Sequence, residues 1–301
     1  MTATGPTNDE NRITAKPRAR ARLGKLFNKI TFDTAARVFS EKICCDLRPT
    51  SLLLDPSASV TTQGSCFALN IAERLNAMGV KADTIPVREW LNNPFANLVI
   101  ADSWVHGAAS PYSGLLHQAM FKQPDELLRF KEKLVNAKML VCTLGTGFVW
   151  EHIETRRKVL APEKRRVDQY RTVFLDQNAI LKMIAQFVER IRALAPSIYI
   201  WFTVSPVPCE GTTVFRSSIT SDVVSKSLLR SAIFVYLSLS KDLRIQYFPA
   251  FELIRGVSGQ FSEAFFGQDG KNRHVNPEIV ALVVDEFIRR NQQADPPPTA
   301  D

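Results

Sequence analysis

No stretch of about 18 consecutive apolar residues occurs in this 301-residue chain, so it offers no candidate transmembrane helix. Nor does it open with the charged, apolar and small-residue succession of a secretory signal, and a cytoplasmic protein is the expectation. Cysteine is scarce and badly placed for cross-linking: Cys44 and Cys45 are adjacent, Cys66, Cys142 and Cys209 lie far apart, and the total of five is odd. A disulfide framework and CxxC metal spacing are both absent, which makes a reducing compartment the simpler setting. His106, His117 and His152 show no ligand spacing with one another or with any cysteine, so neither a metal nor another cofactor is expected. No internal repeat is present.

What is there is an ordinary globular balance, 45% hydrophobic and 23% charged, enough for one generous core without staples. The formal charge of +8 is unevenly spread, because residues 1–30 hold seven Lys and Arg against Asp9 and Glu10. That arm has no aromatic platform and no nucleic-acid module behind it. It reads as a disordered leader able to touch an anionic partner or a membrane surface, with no specific nucleic acid expected. The closing "QQADPPPTAD" reads as a disordered tail. Residues 31–291 are therefore the single folded domain, flanked by the arm (1–30) and the tail (292–301).

Within that domain short apolar runs alternate with amphipathic ones. Val60 to Thr62 is a strand candidate, and Phe67, Ile71, Leu75 and Met78 then recur on one helical face that Gly79 can end. "VKADTIPV", "KMLVCTLG", "SIYIWFTVSPVP" and "LRIQYFPAFEL" are further strands. "PDELLRFKEKLVNA", "DQNAILKMIAQFVERIRALAP", "SDVVSKSLLRSAIFVYLSLSK" and "NPEIVALVVDEFIRR" are helices, the last with Asn276 and Pro277 in cap and N1 positions. The stretch from Arg88 to Phe121 reads as loop-rich, and "EHIETRRKVLAPEKRRVDQYRT" as a charged loop. Such alternation predicts an α/β fold, a parallel, doubly wound sheet of about five strands whose ligand site lies at the carboxyl ends of the strands.

Residues just after strands then carry the chemistry. "TTQGSCFA" places Gly64, Ser65 and Cys66 between a strand and a helix, and "DGKNRHVNPE" places His274 just before the last helix. Ser or Cys is a poor nucleophile until a base takes its proton, and His does so best near neutral pH. A helix N-terminus adds positive potential for a thiolate or oxyanion. Taken alone, Ser65 reads first as an N-cap and Cys66 as a small buried hydrophobe, and the other ordered blocks turn the reading toward a site. Trp150 and Trp201 read as core residues, with a sugar-stacking role open for Trp150.

"GSCFA" at 64–68, followed in order by "TLGTGFVW", "TVSPVP", "SKSLLR" and "DG…RHVNPE", resembles the GSCFA family over roughly residues 45–290. That family is similar to the SGNH-type esterases and acyltransferases. The resemblance implies a flavodoxin-like three-layer α/β/α sandwich, SGNH-hydrolase-like, and acyl-ester chemistry that often acts on carbohydrate. Carry-over is partial. The superfamily's nucleophile stands two residues after the glycine, which superposes Cys66, while a one-residue shift gives Ser65. His274 matches the superfamily's Asp-x-x-His, but Lys271 occupies the Asp position and Asp269 lies five residues before the histidine.

Gly145-Thr146-Gly147 replaces the Gly-x-Asn-Asp block, so the oxyanion asparagine is missing. Thr146, Asn93 or Asn97, or backbone N–H groups near Gly64 and Phe67, are the substitutes on offer. Gly145 would line the same site. Lys226 and Arg230, four apart on a helix, are a solvated face by default and a phosphate site for an acyl donor if they reach the crevice. The expected function is an ester hydrolase or O-acyltransferase with a carbohydrate or small-molecule ester substrate, worked by Cys66 or Ser65 with His274 and, where the loop permits, Asp269. The alternative is a non-catalytic binding or scaffold protein with a degenerate site.

Overall fold

A computed structural model of the chain describes residues 30–55, 57–119, 124–209, 214–258 and 274–293. Residues 1–29 of the basic arm, residues 294–301 of the tail and Asp269 lie outside the described residues. The strands are β1 (Ser59–Gly64), β2 (Lys81–Pro86), β3 (Met139–Leu144), β4 (Phe148–His152), β5 (Lys158–Val159), β6 (Tyr170–Phe174), β7 (Tyr199–Val204) and β8 (Ile245–Tyr247). The α-helices are α1 (Phe32–Val38), α2 (Cys66–Ala77), α3 (Pro94–His106), α4 (Ser113–Ala119), α5 (Pro124–Val135), α6 (Gln177–Leu194), α7 (Ser218–Leu239) and α8 (Pro277–Asn291). None of them is long and apolar enough to cross a membrane.

Five strands form one sheet in the order β2-β1-β3-β7-β8, every neighbouring pair parallel. This is the flavodoxin-like order, and helices cover both faces to give a three-layer α/β/α sandwich. Strands buried on both faces must be apolar throughout, and β3 (MLVCTL) is buried at every position. Its alternate side chains serve two cores. Leu140, Cys142 and Leu144 pack with Val99 of α3, Ile184 of α6 and Leu229 of α7, while Met139 and Val141 pack with Ile71 of α2 and Val283 of α8. Trp201 on β7 is fully buried, edge-on to Phe248 and Phe287 with ring centroids 6.4 and 5.5 Å away.

Two stretches differ from the sequence expectation. The loop-rich region holds α3 and α4, because Asn93 caps α3 by accepting from Ala96 N–H at 2.9 Å and Pro94 presets its first turn. Pro94 through Trp104 are all buried, so the helix has no polar face and leaves no 3.6-residue signature. The charged loop is a second, antiparallel sheet in the order β5-β4-β6. Val149 of β4, and Leu160 and Leu175 just past β5 and β6, are buried beneath a surface of exposed Arg and Lys. The strand expected over "LRIQYFPAFEL" is cut to three residues, and the chain bends into a π-helical turn at Glu252–Gly256.

Candidate active site

The chain leaves β1, crosses to β2 at one edge and returns to β3 on the other side of β1, so the direction of winding reverses between β1 and β3. Loops part there and leave a crevice at the carboxyl ends of the strands. Gly64, the last residue of β1, has φ +152°, and a Cβ on it would meet Thr143 Cβ at 2.9 Å and Ala68 Cβ at 3.0 Å. Only glycine lets β1 pass so close to β3 and turn at once into α2. Ser65 is the N-cap with extended backbone and no side-chain cap bond, and Cys66 opens the helix with its side chain exposed.

A pocket of about 240 Å³ takes in Cys66, Phe67 and Asn70 from α2, Val207 from the segment after β7, and His274 to Pro277 at the head of α8. Cys66 and His274, from opposite ends of the domain, thus share one pocket that Ser65 does not line. The histidine's segment is pinned from behind. Asn276 is fully buried and its Oδ1 accepts from Glu278 N–H at 2.9 Å, while Val275 is also buried. Asn70 lies one helical turn after Cys66, a spacing that marks it as a neighbour on the same face. Among the other thiols, burial pushes Cys44 and Cys209 up to about 12 and raises Cys142 as well. Those three are inert in the range where an enzyme works.

The rest of the expected set is placed as follows. Phe67 is fully buried, its ring in the core beside the pocket. Asn97 is buried at the sheet surface, where its Oδ1 accepts from Gln63 Nε2 at 2.5 Å and its Nδ2 donates to Asn93 O at 2.8 Å. Asn93 is buried and spends its Oδ1 capping α3.

Gly145 and Thr146 both donate their N–H groups to the carbonyl of Asn92, at 2.8 and 2.9 Å. Gly147 N–H donates to Ser225 Oγ at 2.6 Å. A Cβ on Gly145 would meet that Asn92 oxygen at 3.0 Å. Lys226, 1% exposed, donates from Nζ to Gly145 O at 2.6 Å, and its desolvation lowers its pKa. Arg230 is bound at 2.6 Å to Glu252 and lies 4.1 Å over the Tyr247 ring. Lys226 and Arg230 are therefore occupied by protein partners, and neither lines the Cys66 pocket. Sequence reasoning passed over Asn70 and Asn92, took Asn276 only as a helix cap, and held Val207 only as part of the "TVSPVP" block. The i, i+4 relation to Cys66 was a usable signal for Asn70, and the place of "SPVP" directly after β7 was the signal for Val207. Among the described residues, no group of three or more His, Cys, Asp or Glu is placed to hold a metal ion.

A doubly wound parallel sheet with a thiol and an imidazole in one pocket at its carboxyl edge defines an α/β protein with a switch-point site. The chain belongs to the GSCFA family, whose model matches residues 59–287. No curated protein sequence matches it. Among solved structures it is similar to a carbohydrate esterase family 2 enzyme with a carbohydrate-binding domain from Corynascus thermopiles (Myceliophthora fergusii), at 12% identity and TM-score 0.43 over 78% of this chain and 65% of that one. An acetyl xylan esterase from the rumen bacterium Butyrivibrio proteoclasticus matches at 11% identity and TM-score 0.40, over 77% of this chain and 63% of that one. The periplasmic domain of a lipopolysaccharide acetyltransferase of Salmonella ser. Paratyphi A matches at 10% identity and TM-score 0.36, over 89% and 91%. The chain spans just under two thirds of the length of the two esterases.

Proposed function

We propose that this GSCFA-family chain is an ester hydrolase or O-acyltransferase that works through Cys66 and His274 on an acyl ester of a polysaccharide or glycoconjugate precursor. The observation that carries the reading is the single pocket in which an exposed thiol at the head of α2 and His274 at the head of α8 come together. His274 takes the thiol proton as Cys66 Sγ attacks the acyl carbonyl, and first-turn N–H groups of α2 hold the oxyanion. The carbonyl–oxygen bond breaks, His274 gives the proton to the departing alkoxide, and a thioester remains. Water in a hydrolase, or an acceptor hydroxyl in a transferase, loses its proton to His274 and attacks the thioester. Sγ then leaves and regains the proton.

Cys66 is favoured over Ser65 because it lines the pocket and Ser65 is the half-buried N-cap. Asp269 is the candidate to orient His274, tested by Asp269→Asn. The competing reading, a binding protein with a degenerate site, draws on the lack of any carboxylate lining the pocket among the described residues.

The test is a p-nitrophenyl ester and acyl-donor screen on wild type, Ser65→Ala, Cys66→Ala and His274→Ala. Turnover that survives Ser65→Ala and is lost in the other two supports the mechanism. Turnover equal in all four proteins rejects it.

A further inference from the structure

A second and larger cleft, of about 700 Å³, lies between the segment after β2 and the small antiparallel sheet. Its size is in the range of ligand sites. Trp90 and Trp150 line it with Arg88, Lys164, Arg165 and a single acid, Glu163, and Ala161 and Pro162 add apolar surface. Trp90 is 42% exposed, so a second large apolar ring beside Trp150 is left in contact with solvent.

The charge around this cleft is concentrated. Residues 156–171 carry seven Lys and Arg against Glu163 and Asp168. Glu163 accepts a hydrogen bond from Tyr170, and Glu151 is taken up by Arg156 and Arg171. Arg88, Lys164 and Arg165 are exposed and have no ion-pair partner among the described residues. Three basic side chains against the one acid, Glu163, leave the lining of the cleft net positive.

The cleft opens from the same end of the sheet as the thiol. Val87 N–H donates to Gly64 O at 2.7 Å, so the Arg88–Trp90 segment leaves β2 level with the turn into Cys66. β4, which carries Trp150, starts just past the clamped Gly145–Gly147 turn.

We propose that the Trp90–Trp150 cleft binds an acidic polysaccharide, a chain whose sugar rings carry carboxylates. Each such ring offers an apolar C–H face for an indole and an anion for a guanidinium, which pairs with a carboxylate in a planar, two-point fashion. The choice of a glycan over a single-stranded nucleic acid, which also suits aromatic and basic side chains, rests on the ester reading above. It makes the cleft the subsite that holds the acyl-bearing chain.

Binding is measured by titration calorimetry on full-length Cys66→Ala, with polygalacturonate, its fully methyl-esterified neutral form, and poly-uridylate as probes. Polygalacturonate is expected to bind, and the neutral form to bind about ten-fold more weakly or worse. Arg88→Ala/Lys164→Ala/Arg165→Ala is expected to weaken binding by about ten-fold and to flatten its salt dependence. Trp90→Ala is expected to weaken it at every salt concentration. The three basic side chains are exposed, so the triple variant keeps the fold, which a melting curve checks; the N-terminal arm is unchanged in it. Equal binding of the neutral form, undiminished binding by the triple variant, or tighter binding of poly-uridylate lost in the same variant would each overturn the proposal. Binding in Cys66→Ala needs no turnover. An inactive wild type that still binds rejects only the ester reading, and an active one that binds no glycan rejects only this one.

Discussion

Two turns leave the same edge of the sheet and are built in opposite ways. The turn after β1 ends in an exposed thiol at a helix start, with Ser65 making no side-chain cap bond. The turn after β3 is held from three sides: the Asn92 carbonyl takes two of its N–H groups, Ser225 takes a third, and the buried Lys226 ammonium donates to Gly145 O. The three N–H groups of the second turn and its Gly145 carbonyl are already used by protein, and the Thr146 hydroxyl is buried away from the Cys66 pocket with no hydrogen-bond partner. A switch-point crevice thus consists of one open turn that can react and one closed turn that holds the wall, and residue type alone does not say which is which.

The widest gap between the turns is expected in activity. Cys66→Ala should reduce ester turnover by about 10³-fold or more while leaving the melting temperature unchanged, since the exposed side chain supports no core. A variant that melts markedly lower would make the open turn structural and break the contrast. Next in size is Gly64→Ala, where a left-handed φ and a 2.9 Å approach to Thr143 combine. It should cost about 3 kcal/mol in urea unfolding, and a loss below about 1 kcal/mol would mean the β1–β3 approach relaxes freely.

A pH series sharpens the closed side. The folded-state pKa of Lys226 is lowered from 10.5 by desolvation, so the unfolded chain binds more protons there. Stability should therefore rise with pH from the lowered value up to the unfolded value near 10.5, the range over which the folded state has shed its proton. Lys226→Met should lose that slope, and an unchanged slope would assign it to another group. The smallest effect is a reactivity difference. A thiol reagent should modify the exposed Cys45 and Cys66 quickly, the half-buried Cys209 more slowly, and leave the buried Cys44 and Cys142 protected until unfolding, with Cys66→Ala losing one fast equivalent.

Much of this was legible in the chain. Alternating strands and helices announced the doubly wound sheet, because strands buried on both faces and amphipathic helices carry different apolar periods. The order of "GSCFA" and "RHVNPE" pointed to Cys66 and His274, which line one pocket. α3 escaped because a helix buried on every side has no period to read, and β4 to β6 escaped because charges on their outer face mask the alternation within. Asn93, Asn97, Lys226 and Arg230 were sound choices of residue type, yet the structure ties up Asn93 Oδ1, the Asn97 amide, Lys226 Nζ and the Arg230 guanidinium in bonds to protein.

What the sequence by itself determined is the class of fold and the two segments, the Gly64–Cys66 turn and the His274 segment, on which the proposed chemistry rests, since these follow from local period, glycine placement and ordered blocks. Only the tertiary structure decided that Cys66 and not Ser65 lines the pocket with His274, and that Trp90 meets Trp150 across a basic cleft. The reason is physical: where a side chain points depends on what the other strands and helices leave open around it, and that is a property of the packed whole.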